Sequence, residues 1–186
     1  LLGSALAVSE GVGTSEQRSS VVASYPHFEK GAPVIFPEQK DTAIYHNRAI
    51  WPFVSAFFLR AAGQVGNAAA VDHAVRSLVR GAAMATSNME AFEVVSGASY
   101  WDDGAYSGPV VSSHRQLWSV AGYLSMVHDT IFGLDATQTR IRFAPRLTGG
   151  LRDSLFAGAD SIAMSNFPYK GKTISVRVRL PAVGSG

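Results

Sequence analysis

The sequence predicts a mainly α protein that closes with a small antiparallel β appendage. Three observations lead there. Apolar residues recur at helical spacing between Pro52 and Ala85 and again between Ser113 and Ile131, while glycine and asparagine stand where those helices must stop and start. The C-terminal stretch switches to strict alternation.

The first apolar stretch, from Ser4 to Ser9, reads as a short helix that begins without Met and without a basic region before it, so no intact signal peptide is expected there. A second helix follows over Ser15–Ser24. Thr14 stands three residues before Gln17, the spacing at which a hydroxyl and an amide cap each other's backbone donors. Tyr25 and Pro26 end it, and APVIFP, between Pro33 and Pro37, is too short and proline-bound for a helix and reads as extended chain.

Pro52 occupies the tolerated first turn of the next helix, which runs to Gln64 and stops at Gly66. Asn67 then caps Ala68–Ala85, where Val71, Ala74, Val75, Leu78, Val79 and Ala82 share a face. Only Gly66 and Asn67 separate the two helices, which are expected to form an antiparallel hairpin. A polar, glycine-rich loop from Ser87 to Ser112 leads to a helix over Ser113–Ile131 that stops at Gly133; loops of that length are often functional. RIRFAP and KTISVRVRLP alternate, with Ile174, Val176, Val178 and Leu180 on one face of a strand. Helices first and strands last divide the chain into a helical body over 1–134 and a small β-domain over 135–186.

Composition narrows the function classes. With 47% hydrophobic and 16% charged residues, the 186-residue chain has the material for a sizeable core. The net charge of +2 is carried by Lys and Arg scattered along the chain, which argues against nucleic acid as a partner. The absence of cysteine excludes disulfides, thiolate nucleophiles and Cys-type zinc sites. No apolar run reaches the ~18 to 20 residues that a membrane-spanning helix needs.

Two stretches carry chemistry. In SNMEAFEVVSG, Glu90 and Glu93 lie near Phe92, Tyr100 and Trp101. Carboxylates beside aromatic rings suit acid or base work on a sugar, because rings stack on pyranose faces and desolvation raises a carboxyl pKa. The plain alternative is a pair of solvated loop charges. In IYHNRAIWPF, Tyr45, His46, Asn47, Arg48 and Trp51 crowd the start of a core helix; they either satisfy its backbone groups or form a polar rim that holds a polyhydroxylated ligand. His73 beside Asp72 has no second histidine at helical ligand spacing, no glycine run has the phosphate-loop pattern, and Ser113 and His114 are adjacent, which on a helix points them apart.

The order of these segments resembles the C-terminal part of the six-hairpin, (α/α)6-barrel glycosidases. The order runs TSEQRSSVV, Tyr-His-Asn before Trp-Pro, a long helix, a carboxylate-and-aromatic loop, then QLWSVAGYLSMVHDTIFGL and strands. It is most similar to the α-L-rhamnosidases, with related glucosidases and disaccharide phosphorylases beside them. The resemblance implies helical hairpins of an (α/α)6 toroid and an inverting hydrolysis with Glu90, in Met89-Glu90-Ala91-Phe92, as general base and Glu93 as a competitor for that role. It places Asn88, Trp101 and Asp102 near Glu90 in the pocket, which Tyr45, His46, Arg48 and Trp51 line from the adjacent hairpin. It implies a carbohydrate substrate, no cofactor and no metal, and by analogy a periplasmic or secreted setting. Six hairpins call for about twelve helices. This chain offers about five, so it is expected to be part of a larger barrel whose N-terminal portion carries the general acid. A phosphorylase or a catalytically silent carbohydrate-binding relative are the alternatives.

Overall fold

The computed structural model describes residues 1–99 and 112–184. Within these the chain forms two compact units, Leu1–Val127 and His128–Gly186.

In the first unit, α1 (Leu2–Ser9), α2 (Ser15–Ser24), α4 (Ala68–Ala85) and α5 (Leu117–Ser125) all pack on α3 (Pro52–Val65). Local sequence accounts for each boundary. Thr14 and Gln17 form the reciprocal capping box of α2. Pro52 opens α3, Gly66 closes it at φ 72°, and the Asn67 side chain accepts from the Ala70 N–H to start α4. Val54, Phe58, Leu59, Ala61 and Ala62 of α3 are buried, as are Val71, Ala74, Val75 and Leu78 of α4. The last predicted helix begins later than its sequence suggests, at Leu117, and from Met126 to Ile131 it widens into a π-helix.

A two-residue antiparallel ladder joins the loops of this unit. β1 (Ala49–Ile50) pairs with β2 (Phe92–Glu93), Ala49 opposite Glu93 and Ile50 opposite Phe92. Successive strand residues point to opposite faces, so Ala49 enters one buried cluster with Trp51, Val54 and Ala91. Ile50 enters another with Met89, Phe92 and Val94.

The second unit contains β3 (Leu134–Ala136) paired with β4 (Ile141–Phe143), α6 (Gly149–Asp153), and a hairpin of β5 (Ser161–Tyr169) with β6 (Lys172–Arg179). The hairpin turns through Lys170 and Gly171, both at positive φ. Inside this unit the buried Arg152 donates to the carbonyls of Pro181 and Phe156, tying α6 to the end of the chain.

The architecture corrects the expected mainly α toroid. The described chain is mixed α/β, 41% helix and 18% strand, with six short helices and three small antiparallel sheets. The physical reason lies in α3. It is buried along most of its length, and its neighbours gather around it as a hub, whereas hairpins in a ring would set each helix between two others. The strands, too, occur in both units, and the first pair sits inside the helical one.

Candidate functional site around Glu90

The β1–β2 ladder brings Tyr45–Trp51 alongside Asn88–Val94. Asn47 builds the first half. Only 2% exposed, it accepts from the Gln39 N–H at 2.9 Å and donates to the carbonyls of Gln39 and Thr42 at 3.0 and 3.2 Å. This closes the loop over residues 39–47. Arg48 then adopts φ 56°, turning the chain into β1, and its carbonyl accepts from Val94 N–H.

Glu90 sits at the junction with its residue 9% exposed. Tyr45 Oη donates to Glu90 Oε1 at 2.7 Å, and the Ser113 N–H donates to Oε2 at 2.9 Å. Both oxygens act as acceptors, the pattern an ionised carboxylate presents. The Glu90 N–H in turn donates to Ser113 O, while Ser112 Oγ bridges the backbone of Ala91 and Gln116 N–H donates to Asn88 O. The segment 112–116 is thus clamped to 88–91. The hydrogen bond to Glu90 holds the Tyr45 phenol up to about 12, with burial and the negative charge adding to it. Tyr45 therefore stays a donor at any ordinary pH.

Glu93 is built differently. Burial alone would push its carboxyl up. Against that, its oxygens accept from Ser96 N–H at 2.6 Å, Ser96 Oγ at 2.7 Å and Val95 N–H at 3.1 Å, and from the Arg48 guanidinium at 3.2 Å, so that the net shift is downward. Four donors converge on one carboxylate and fold the turn that follows β2. Its chemistry in the structure is that of a turn cap.

A row of aromatic side chains leads away from Tyr45, the ring that touches Glu90. His46, exposed, stacks on Trp51 with ring centres 4.7 Å apart and planes 10° apart, and Tyr45 meets both edge-on. Trp51 Nε1 donates to Tyr45 O. The row continues through Phe53 to Trp118, which is 64% exposed.

Of the residues the sequence singled out, Tyr45, Glu90, His46 and Trp51 form one group, and Arg48 with Glu93 a second. Asn88 contributes its backbone carbonyl, and Met89 is core. Trp101 and Asp102 lie outside the described residues. Sequence reasoning missed Ser113 and Ser112, whose backbone and hydroxyl partners are set by tertiary contact, and Ser96, for which the Glu93-Val-Val-Ser-Gly spacing was a usable turn signal.

A separate apolar groove of about 550 Å³ runs between α3 and α5, lined by Phe53, Phe57, Leu117 and Trp118 with Arg60 at its edge; Glu90 is not in its wall. Among the described residues no three His, Asp or Glu side chains gather as a metal would require, and no helix is long and apolar enough to cross a membrane. No protein-family model matches the chain, and a search of curated proteins finds no significant match.

Proposed function

We propose that this chain takes part in glycoside hydrolysis by inversion, with Glu90 as the general base. One observation carries the reading. A nearly buried carboxylate, oriented by Tyr45 and the Ser113 amide, lies beside the Tyr45–His46–Trp51 aromatic group. Trp51 is itself core and backs the group, so the exposed His46 ring and the half-buried Tyr45 are what a polyhydroxylated ligand would meet beside the fixed acceptor that deprotonates water.

Inversion needs a second carboxyl group ~6.5 to 9.5 Å away to protonate the leaving oxygen. Among the described residues Glu93 is the other buried acid, and its lone pairs are committed to Arg48, Val95 and Ser96. In this reading the general acid is supplied from outside the described residues.

The same commitment of Glu93 favours a second reading, a carbohydrate-binding relative without turnover; a disaccharide phosphorylase is the enzyme alternative. The test is a panel of aryl glycosides and oligosaccharides, with and without phosphate, on the wild type and Glu90→Gln. Turnover that falls by a factor of about 10² or more while saccharide binding persists supports the base. Binding without turnover in the wild type selects the silent relative, and an absence of saccharide binding removes both.

A further inference from the structure

Two of the five histidines meet away from Glu90. His27 lies in the turn after α2 and His73 on α4; their ring centres are 4.5 Å apart with planes at 80°. Phe58 of α3 lies 5.2 Å from the same His27 ring. One imidazole is therefore held between a phenyl ring and a second imidazole.

Backbone carbonyls select the tautomers. His73 Nε2 is 2.6 Å from Phe28 O, and a carbonyl can only accept, so Nε2 carries the proton and Nδ1 is a bare lone pair. His27 makes a hydrogen bond to the Tyr25 backbone that favours its charged form, which leaves Nε2 as its bare nitrogen. His27 Nε2 and His73 Nδ1 are both buried and have no hydrogen-bond partner among the described residues. A neutral imidazole can remain in such a place. An imidazolium there would bury a charged N–H without an acceptor, against a second ring.

The charged groups nearby do not relieve that cost. Glu29 is paired with Lys30, and Arg80 donates to Met84 Sδ and to Lys30 O. Asp72 and Arg76, which flank His73 on α4, have interactions of their own. Arg60 of α3 edges the groove toward α5, and the Tyr25 hydroxyl donates to Pro33 O. None of these reaches either bare nitrogen.

We propose that the His27–His73 contact is an acid-released latch. With both rings neutral it holds the turn over residues 25–31 against α3 and α4; when His27 takes a proton, the turn lets go. Burial first, and His73 second, lower the tendency of His27 to accept that proton in the folded chain, against the opposing Tyr25 bond. The sign follows from linkage. The detached form binds the proton more readily than the folded one, so release begins as pH falls below the ordinary imidazole value of 6.5. The turn continues into Pro33 and Val34, and the Val34 N–H donates to Ala49 O of β1, so the latch supports one flank of the ladder under Tyr45 and Trp51.

The test is hydrogen exchange on the full chain at pH 7.5 and 5.5, corrected for intrinsic rates, following the Phe28 and Gly31 amides that bond each other's carbonyls at 3.1 Å. Their protection is expected to fall at the lower pH, by at most about tenfold, the ceiling that coupling to a single proton sets, and to become independent of pH in His27→Phe. Should that variant not fold, imidazole proton shifts of the wild type serve instead. His27 is then expected to titrate below the ordinary imidazole value, together with the loss of the turn. Equal protection at both pH values, an unchanged pH response in His27→Phe, or an ordinary His27 titration with the turn intact would each overturn the latch.

Discussion

Tyr45 donates its phenolic proton to Glu90 at 2.7 Å, across a junction that exists because Ala49 pairs with Glu93. The hydrogen bond is part-buried and its acceptor is a carboxylate, the class whose loss is most costly. Tyr45→Phe is expected to destabilise the first unit by about 1–3 kcal/mol, measured by urea unfolding. Ultraviolet titration adds a second check. The phenol is held up to about 12, so the stability it contributes is present below the ordinary value of 10 and is lost as pH rises through the folded value. A full set of tyrosines ionising near 10 would contradict the bond.

Glu93 makes the opposite prediction with pH. Its folded carboxyl lies below the ordinary 4.5, so its contribution is complete above that value and is lost as pH falls through the folded one. Glu93→Gln is expected to cost about 1–3 kcal/mol at pH 7. The difference from wild type should shrink below pH 4 or so, which unfolding curves at pH 7 and pH 3 would reveal; a difference that stays constant would refute the assignment.

Asn47 makes three hydrogen bonds to the loop before β1 while nearly wholly buried. Asn47→Ala leaves the Gln39 N–H and two carbonyls without partners, and about 2–4 kcal/mol of destabilisation is expected. Asn47→Asp restores only the acceptor and should recover part of it. If proteolysis of the 39–47 loop is no faster in Asn47→Ala, the clamp is not what orders that loop.

Gly133 has φ 59°, and a Cβ there would stand 1.7 Å from the Ala144 carbonyl oxygen. The neighbour is backbone and cannot swing aside. Gly133→Ala is expected to separate β3 from β4, where Ala144 N–H donates to Gly133 O, and to cost more than the ~1–2 kcal/mol of the left-handed backbone alone. Gly66→Ala, at φ 72° in open space, is the control and should show only that backbone cost. Equal losses in the two would show that the close approach does not matter.

Local signals were legible where local chemistry decides. The capping box at Thr14 and Gln17, the Pro52 start, the Gly66–Asn67 junction and the alternation of Ile174, Val176 and Val178 all appear in the structure where the residues implied them. β5 carries no such signal, because Asn166 at positive φ and Pro168 break its alternation with a bulge. Within the Glu90 group, the residue types were legible and the partners were not.

By itself, then, the sequence determined the bounds of α2, the α3–α4 hairpin, the last strand and the two polar stretches, since capping, periodicity and turn chemistry act over a few neighbouring residues. Tertiary structure alone decided that α3 is a hub instead of one member of a ring. It also decided that a two-residue ladder sets Tyr45 against Glu90, and that Glu93 is spent on its own turn. Strand pairs that short carry no period of their own, and which donors each of two neighbouring carboxylates takes up depends on groups that only the folded chain brings within reach.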